Sequence, residues 1–515
     1  MGSSSSFSRL FFAALQLMGY FSFSYLSQSS ITLKSINNDF PRKVVRDPVQ
    51  VSEPQPTSSL PDFLEWAQQV GVKGEKVKPS NFDGLRGMAV TEKIRAGDDF
   101  ITVPNSKAIV TTTDQVNPMP DILNSEDWRT AKWYLRLALL LLQEKSLGQQ
   151  SNLFHYVQQL PASFSTPFHW SEEDIERLNY PFLQNQIAQQ RSNWTALHSQ
   201  LSSNNPGFPF SFDDLVWAME CAYSRTFSGP YEGRSAEERI LEVAFLGVLA
   251  IGSYELGFAS ANQVLNGAFA VLLSIPLRDF FNSKMLNLKR YAMCPMIDFI
   301  NHKSSIESDV SYNYFKDHFA VFTKNDFETG DQVYISYGKK SNDYLLQYYG
   351  FVEQNNPYDD YTLTSLPTFI QKAAEEGKID STRLALVEKA GLLESLDQIT
   401  FKRDGSFDEL SILPALRLLL ISDEELSDKQ LQDISIREGI LEPVSSKNEN
   451  ACLELLVSSL QAELQSFGQG VKQEKSIIKK MKASMSEAEI CSRLFRIEKM
   501  SVLQDISKKI KVEVQ

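Results

Sequence analysis

The sequence predicts an α+β protein: small β-sheets, a large helical block set among them, and an all-α C-terminal region. Three observations carry this expectation. Glycine-punctuated stretches around residues 81–104 and 318–337 read as short strands. Between them, residues 126–226 place apolar side chains at helical spacing, as in Leu135, Ala138, Leu139 and Leu142. From about Asp360 that spacing returns, in Leu384, Ala385, Val387, Leu392 and Leu393, and again from Leu410 to Ile421.

Taken in order, the folded part begins near Leu60, where Phe63, Leu64, Trp66, Ala67 and Val70 mark a short amphipathic helix. The run Asn81–Val90, turning at its glycines, reads as a strand pair, and Phe100–Pro104 as a strand ended by proline. Ser171 ahead of Glu172, Glu173 and Asp174 has the form of a helix start, with Asp174 at the capping-box position. Ser211 opens another helix, leading through Val216, Trp217, Met219 and Cys221 towards Arg225. Ile240 to Leu277 is strongly apolar but interrupted by Glu242, Glu255, Asn262, Gln263 and Asn266. A membrane-inserting hairpin is one reading; the interruptions favour a buried or partner-covered helical pair, so membrane contact through 240–277 is weighed and not favoured. His318–Thr323 and Gln332–Tyr337 are strand candidates joined by a turn at Gly330-Asp331. The lysines at 472, 475, 479, 480 and 482 read as a solvated helix face.

Composition narrows the function classes. At roughly 100–200 residues per domain, 515 residues allow two to four domains. Lys and Arg total 51 against 64 Asp and Glu, a formal charge of −13. Sequence-independent binding to nucleic acid rests on neutralising phosphates, so nucleic acid is not an expected partner; a basic substrate suits the balance better. The four cysteines (Cys221, Cys294, Cys452, Cys491) form no CxxC pair and the five histidines no HExxH, so neither a zinc site nor a disulfide framework is expected.

The N-terminus reads as a leader. Arg9 precedes the apolar run Leu10–Phe21, the length of a signal-peptide core. A Ser-rich stretch with Lys34, Arg42, Lys43 and Arg46 follows, its one acidic residue being Asp39; a proline-rich linker covers 47–61. This two-part pattern suggests delivery to a plastid. Entry to the secretory pathway is the alternative.

Four segments carry the chemistry. Asp83-Gly84-Leu85-Arg86-Gly87 is by itself a glycine turn. Tyr223-Ser224-Arg225-Thr226-Phe227 ends a helix with a cation suited to its dipole. In Cys294–His302, Asp298, Asn301 and His302 interrupt an apolar run, where polar groups are costly without partners, so a polar network or a ligand is expected. On the strand Gln332–Tyr337, Val333, Ile335 and Tyr337 share a face, with Tyr337 at the end where its hydroxyl can project into a site; Tyr348-Tyr349-Gly350-Phe351 follows.

Together these segments resemble the SET-domain methyltransferases of the Rubisco large-subunit methyltransferase type. The likeness rests on Pro-Met-x-Asp-x-x-Asn-His at 295–302, Gly-x-x-Val-Tyr-Ile-x-Tyr at 330–337, then Lys340-Ser341-Asn342 and Tyr349-Gly350-Phe351. Asn124–Trp128, His169–Glu173 and Ser224–Phe227 resemble landmarks of the helical insert of that type, and the likeness spans about 60–510. It implies a leader and linker at 1–59, a SET domain at 60–358 with a helical insert at about 125–290, and a helical substrate-binding domain at 359–515. It also implies methyl transfer from S-adenosylmethionine to a lysine of a protein substrate, with no metal. By resemblance, the backbone of Gly84, Leu85, Arg86 and Gly87 holds the cofactor, Asn301 and His302 its adenine and amino-acid ends, and Arg225 its carboxylate. Tyr337 is the implied catalytic residue and also lines the lysine channel. Tyr349 walls both sides, while Phe227, Asp298 and Tyr314 shape the substrate side. Phe227 suits an alkylammonium stem, which favours lysine over histidine as acceptor. Gly229, where this type commonly has a basic residue, the long apolar insert and Arg86 within the glycine turn depart from the pattern. A plastid protein such as the Rubisco large subunit or fructose-bisphosphate aldolase is the expected substrate. The alternatives are a histidine acceptor and a catalytically weak binding module.

Overall fold

Ser59 starts the first helix, Leu60–Gln69: its Oγ accepts from the Asp62 N–H at 3.3 Å while the Asp62 carboxylate accepts from the Ser59 N–H at 2.9 Å. The helix buries Phe63 and Ala67. The computed structural model describes residues 58–514 apart from 83, 231–235, 271–273, 275–287, 314–315, 378 and 429–439. The leader, Asp83, Tyr314 and the end of the apolar insert therefore lie outside the described residues.

Three small sheets follow from ten short strands. These are β1 (Val77–Phe82), β2 (Leu85–Val90), β3 (Asp99–Pro104), β4 (Ile109–Thr112), β5 (Thr226–Pro230), β6 (Lys289–Met293), β7 (Asn301–His302), β8 (Ser308–Asn313), β9 (His318–Thr323) and β10 (Gln332–Ile335). They associate in the orders β1-β2-β10-β7, β3-β9-β8 and β4-β6-β5. β1 and β2 form a hairpin turning at Gly84, whose φ of +90° suits glycine. Gly330, at φ +96°, supplies the expected turn between β9 and β10, but those strands part there and enter different sheets. The local turn chemistry was read correctly; the pairing is decided by which core each strand's apolar face meets.

The helices Trp133–Leu147 and Phe212–Arg225 pack with these sheets in one core around Leu137, Ala138, Ala218 and Met293. A second core gathers the C-terminal helices around Leu416, Leu456, Phe495 and Leu503. It also takes in Trp170, Ile175, Tyr180, Leu183 and Ile187 from the helical block, so that block feeds both cores. The C-terminal region additionally carries a two-stranded antiparallel sheet of β11 (Asp360–Leu363) and β12 (Ile399–Lys402). From Thr57 onward the chain is one compact unit.

The apolar insert forms the expected helical pair, but the pair is not buried within the chain. It forms the helix Ala236–Glu255 and a second helix over 261–270, yet no side chain from Val243 to Ala270 is buried within the chain. Phe245 is 62% exposed, Leu256 72% and Phe258 78%. Among the described residues, no helix is long and apolar enough to cross a membrane.

Candidate functional site

The first sheet brings three of the four sequence segments together. β10 lies between β2, with Val333 opposite Met88, and β7, with Tyr334 opposite Asn301 and Ile335 opposite His302. The glycine turn and the Asn-His pair thereby flank β10, which ends at Ile335, two residues short of the expected end at Tyr337. Asn301 Nδ2 donates to the Arg86 carbonyl at 3.0 Å. A Cβ on Gly87 would lie 2.5 Å from Gln332 Nε2 and 2.9 Å from Asn301 Nδ2, so glycine is what permits this approach. Gly87→Ala should break the Asn301–Arg86 bond and lower the unfolding free energy by about 1–2 kcal/mol in urea titration. A variant as stable as the parent would show that the contact is dispensable.

Tyr337 is held from three directions. Its hydroxyl donates to the Ile300 carbonyl at 2.7 Å and its backbone N–H donates to His302 Nδ1 at 3.0 Å. A neutral imidazole that accepts at Nδ1 carries its proton on Nε2, which lies 3.3 Å from Glu353 Oε2. Both ring nitrogens of His302 thus face protein groups, and its ring stacks on Tyr337 at 4.9 Å. Tyr349 stacks on the other flank of Tyr337 at 5.0 Å. Burial pushes both phenols above their ordinary pKa, so Tyr337 stays a protonated donor at neutral pH.

Asp298 and Arg225 form the polar floor. The turn into Asp298 passes through Met296 at φ 66°, a left-handed conformation costly for a side chain of this size. Arg225 Nη1 bonds the Asp298 carboxylate at 3.1 Å and its carbonyl at 2.9 Å, and Tyr156 donates to the same carboxylate oxygen at 3.1 Å. Burial raises the Asp298 pKa, opposed by the charges of Arg225 and Arg86. Arg225 Nε and Asp298 Oδ1 are buried without hydrogen-bond partners. The Arg86 side chain donates to the Gln159 carbonyl at 2.9 Å and lies 3.9 Å over the Phe299 ring, both of which line the larger cleft, while the Arg86 backbone carbonyl accepts from Asn301.

Two clefts meet on this floor. The larger, about 1010 Å³, is lined by Leu85, Arg86, Asn301, His302 and Phe351 among others. The smaller, about 320 Å³, is lined by Phe227, Ser308, Asp309 and Lys340 among others. Ser224, Arg225, Asp298, Tyr337 and Tyr349 line both. The larger has the volume of a nucleotide-sized ligand site. Its unpartnered Arg225 Nε–H offers what a ligand carboxylate needs, so these residues fit S-adenosylmethionine. The arrangement can hold two molecules on opposite sides of one aromatic and charged wall. Every expected site residue within the described chain lines one of the two clefts, apart from Gly84 and Gly87, which position β1 and β2. Tyr156, Glu353 and Lys340 were not singled out. Tyr156 looks like any core aromatic in its helix, and nothing local in the sequence ties Glu353 to His302; Lys340 stood inside a recognised motif without an assigned role.

The chain has relatives among known proteins in both of its folded regions. Residues 85–338 match the family model described as SET domain, and residues 380–502 the one described as Rubisco LSMT substrate-binding. Actin-histidine N-methyltransferases of Rattus norvegicus and Homo sapiens are each 23% identical over 439 residues. The match covers 82% of this chain, and the chain spans 63% of the length of those relatives. A structure of Rubisco LSMT bound to AdoMet superposes with TM-score 0.57 at 19% identity, covering 88% of this chain and 92% of the other. The SET domain of LSMT bound to lysine and AdoHcy superposes with TM-score 0.55 at 20% identity, covering 88% of this chain and 91% of that one.

Proposed function

Since the chain joins a SET domain to a Rubisco LSMT substrate-binding domain, and so belongs to the SET-domain proteins of the Rubisco large-subunit methyltransferase type, we propose that it is an S-adenosylmethionine-dependent protein-lysine N-methyltransferase. The observation that carries this reading is the pair of clefts sharing the wall of Arg225, Asp298, Tyr337 and Tyr349. Bound in the larger cleft, S-adenosylmethionine supplies a methyl group already activated by its sulfonium. The chain's residues need only bind, align and exclude water. Leu85, Arg86 and Asn301 line the cofactor side, and Arg225 is the cation for its carboxylate. Tyr337 and Tyr349 narrow the passage, and their ring faces favour a developing cation. An ammonium has no lone pair, so the acceptor must arrive neutral; an aromatic cleft promotes this by penalising the charged form.

Phe227 in the smaller cleft supports lysine, since an apolar ring suits an alkyl stem. Histidine is the second reading. It is supported by the actin-histidine relatives and by Ser308 and Asp309 in the same cleft, which could hydrogen-bond an imidazole. The substrate-binding domain supports a protein acceptor. The leader composition supports a plastid setting, with the Rubisco large subunit or fructose-bisphosphate aldolase as substrate. Calorimetry of the full chain with S-adenosylmethionine is the first test, with micromolar binding expected; undetectable binding would sink the enzyme reading. Radiolabelled methyl transfer onto a plastid lysate, with mass spectrometry of the labelled band, then separates methyl-lysine from methyl-histidine.

A further inference from the structure

A third cleft adjoins the smaller one. It measures about 690 Å³ and is lined by Lys339, Lys340, Tyr344, Tyr358 and Lys402 among others. Lys340 belongs to both clefts and is their common rim. The cations are laid over aromatic rings: Lys340 Nζ is 3.9 Å from the Tyr344 centroid and Lys339 Nζ 5.7 Å from that of Tyr358. Among the described residues, no ion pair joins Lys339, Lys340 or Lys402 to a carboxylate.

Of the other charged groups of this cleft, Asp359, Asp360 and Arg403 are held in ion pairs, while Asp404 keeps its negative charge and lies within the field of Lys402. Asp359 and Asp360 face the buried Lys499 ammonium at 2.9 and 3.8 Å. Asp404 accepts from the Ser406 N–H at 2.9 Å and from its hydroxyl at 2.6 Å. Arg403 bonds Asp505 at 3.1 Å. What the groove offers a ligand is therefore the Lys339 and Lys340 ammonium groups over two aromatic faces, with Lys402 beside them partly offset by Asp404, on a chain whose formal charge is −13. An acidic peptide is repelled by most of this surface and attracted here.

We propose that this groove docks an acidic segment of the substrate polypeptide, next to the residue that enters the smaller cleft, and so selects acceptors by their flanking carboxylates. The proposal rests on the methyltransferase reading above and adds a substrate class to it.

The test uses the full chain with S-adenosylhomocysteine present and two fluorescent dodecapeptides. Each has one central lysine; they differ only in carrying three flanking glutamates or three glutamines. By fluorescence anisotropy at low salt the Glu peptide should bind about tenfold more tightly than the Gln peptide, the equivalent of a few exposed charge contacts. That advantage should shrink with added salt, vanish in the Lys339→Gln/Lys402→Gln double variant, and return in Lys339→Arg/Lys402→Arg. Equal binding of the two peptides, or an advantage that survives the glutamine variant, overturns the proposal. So does displacement of the Glu peptide by a single-stranded RNA dodecamer as readily as by unlabelled Glu peptide, which would mark a general polyanion site. Calorimetry with S-adenosylmethionine on the same protein preparation, before S-adenosylhomocysteine is added, separates the two levels. Normal cofactor binding with no peptide preference overturns the groove alone, and absent cofactor binding overturns the reading beneath it.

Discussion

Tyr337→Phe should lower the turnover of methyl transfer by about a hundredfold or more while leaving S-adenosylmethionine affinity within about threefold. The magnitude follows from losing one preorganised hydrogen bond in a water-excluded site. The hydroxyl bonds the Ile300 carbonyl at 2.7 Å, and so fixes both the ring and the carbonyl-bearing segment that runs into Asn301 and His302. The ring itself is kept by phenylalanine: it stays stacked between His302 at 4.9 Å and Tyr349 at 5.0 Å, and its backbone N–H still reaches His302 Nδ1. Fold and cofactor cleft should therefore survive, and the loss should fall on the step that needs alignment. Single-turnover methyl transfer and calorimetry on the same preparation measure the two quantities separately. A variant with full turnover would show that the hydroxyl is only structural. A variant that loses cofactor affinity and turnover together would show that Tyr337 acts through the larger cleft instead.

The site was legible in the sequence where chemistry is local and obscure where it depends on packing. Asp298, Asn301 and His302 stood out because polar side chains in an apolar run need partners, and the structure supplies those partners in Arg225, the Arg86 carbonyl and the Tyr337 N–H. The strand face shared by Val333, Ile335 and Tyr337 follows from a period of two, and Val333 and Ile335 are fully buried while Tyr337 faces the clefts. Tyr156 and Glu353 carried no such signal, because their meaning lies wholly in contacts far away along the chain, with Asp298 for Tyr156 and with His302 for Glu353. The insert was legible as a helical pair but not in what covers it. Apolar composition argues for burial, but burial needs a face on the body to receive it, and residues 243–270 find none within this chain. The β11–β12 pair escaped notice because four-residue strands give too short a pattern to compete with the helical spacing around them.

Lys499→Met should cost about 3–5 kcal/mol of unfolding free energy, the range found when one partner of a buried ion cluster is removed. The ammonium is fully buried, and its three N–H groups go to Asp343 at 2.6 Å, Asp359 at 2.9 Å and the Asp360 carbonyl at 2.7 Å. Its neighbours' negative charge outweighs the burial penalty and holds its pKa above the ordinary lysine value. Burial, together with the other two aspartates, lifts Asp343 to about 7 even with the lysine present. The cation therefore stabilises the fold at all pH values below the ordinary lysine pKa, and this contribution is lost only as pH rises through the elevated one. With methionine in its place the aspartates repel one another in a dry setting, and the folded pKa values of Asp343 and Asp360, already raised, rise further above the unfolded value near 3.9. An acid whose folded pKa is raised takes up protons on folding, so the variant should lose stability as pH climbs from about 4 towards neutrality, and the gap to the parent should be narrower at pH 5 than at pH 8. Urea titrations at those two pH values measure this, and a gap independent of pH would mean that lost packing, not charge, sets the cost. Activity should fall with stability: Asp343 lies in the helix Asn342–Tyr349, which carries Tyr344 and Tyr349, and Lys499 in the C-terminal helix Glu487–Val514. The same buried charge thus ties the helical C-terminal region to the aromatic wall of the site, so loosening it should blur the stack of Tyr349 on Tyr337 before the protein unfolds.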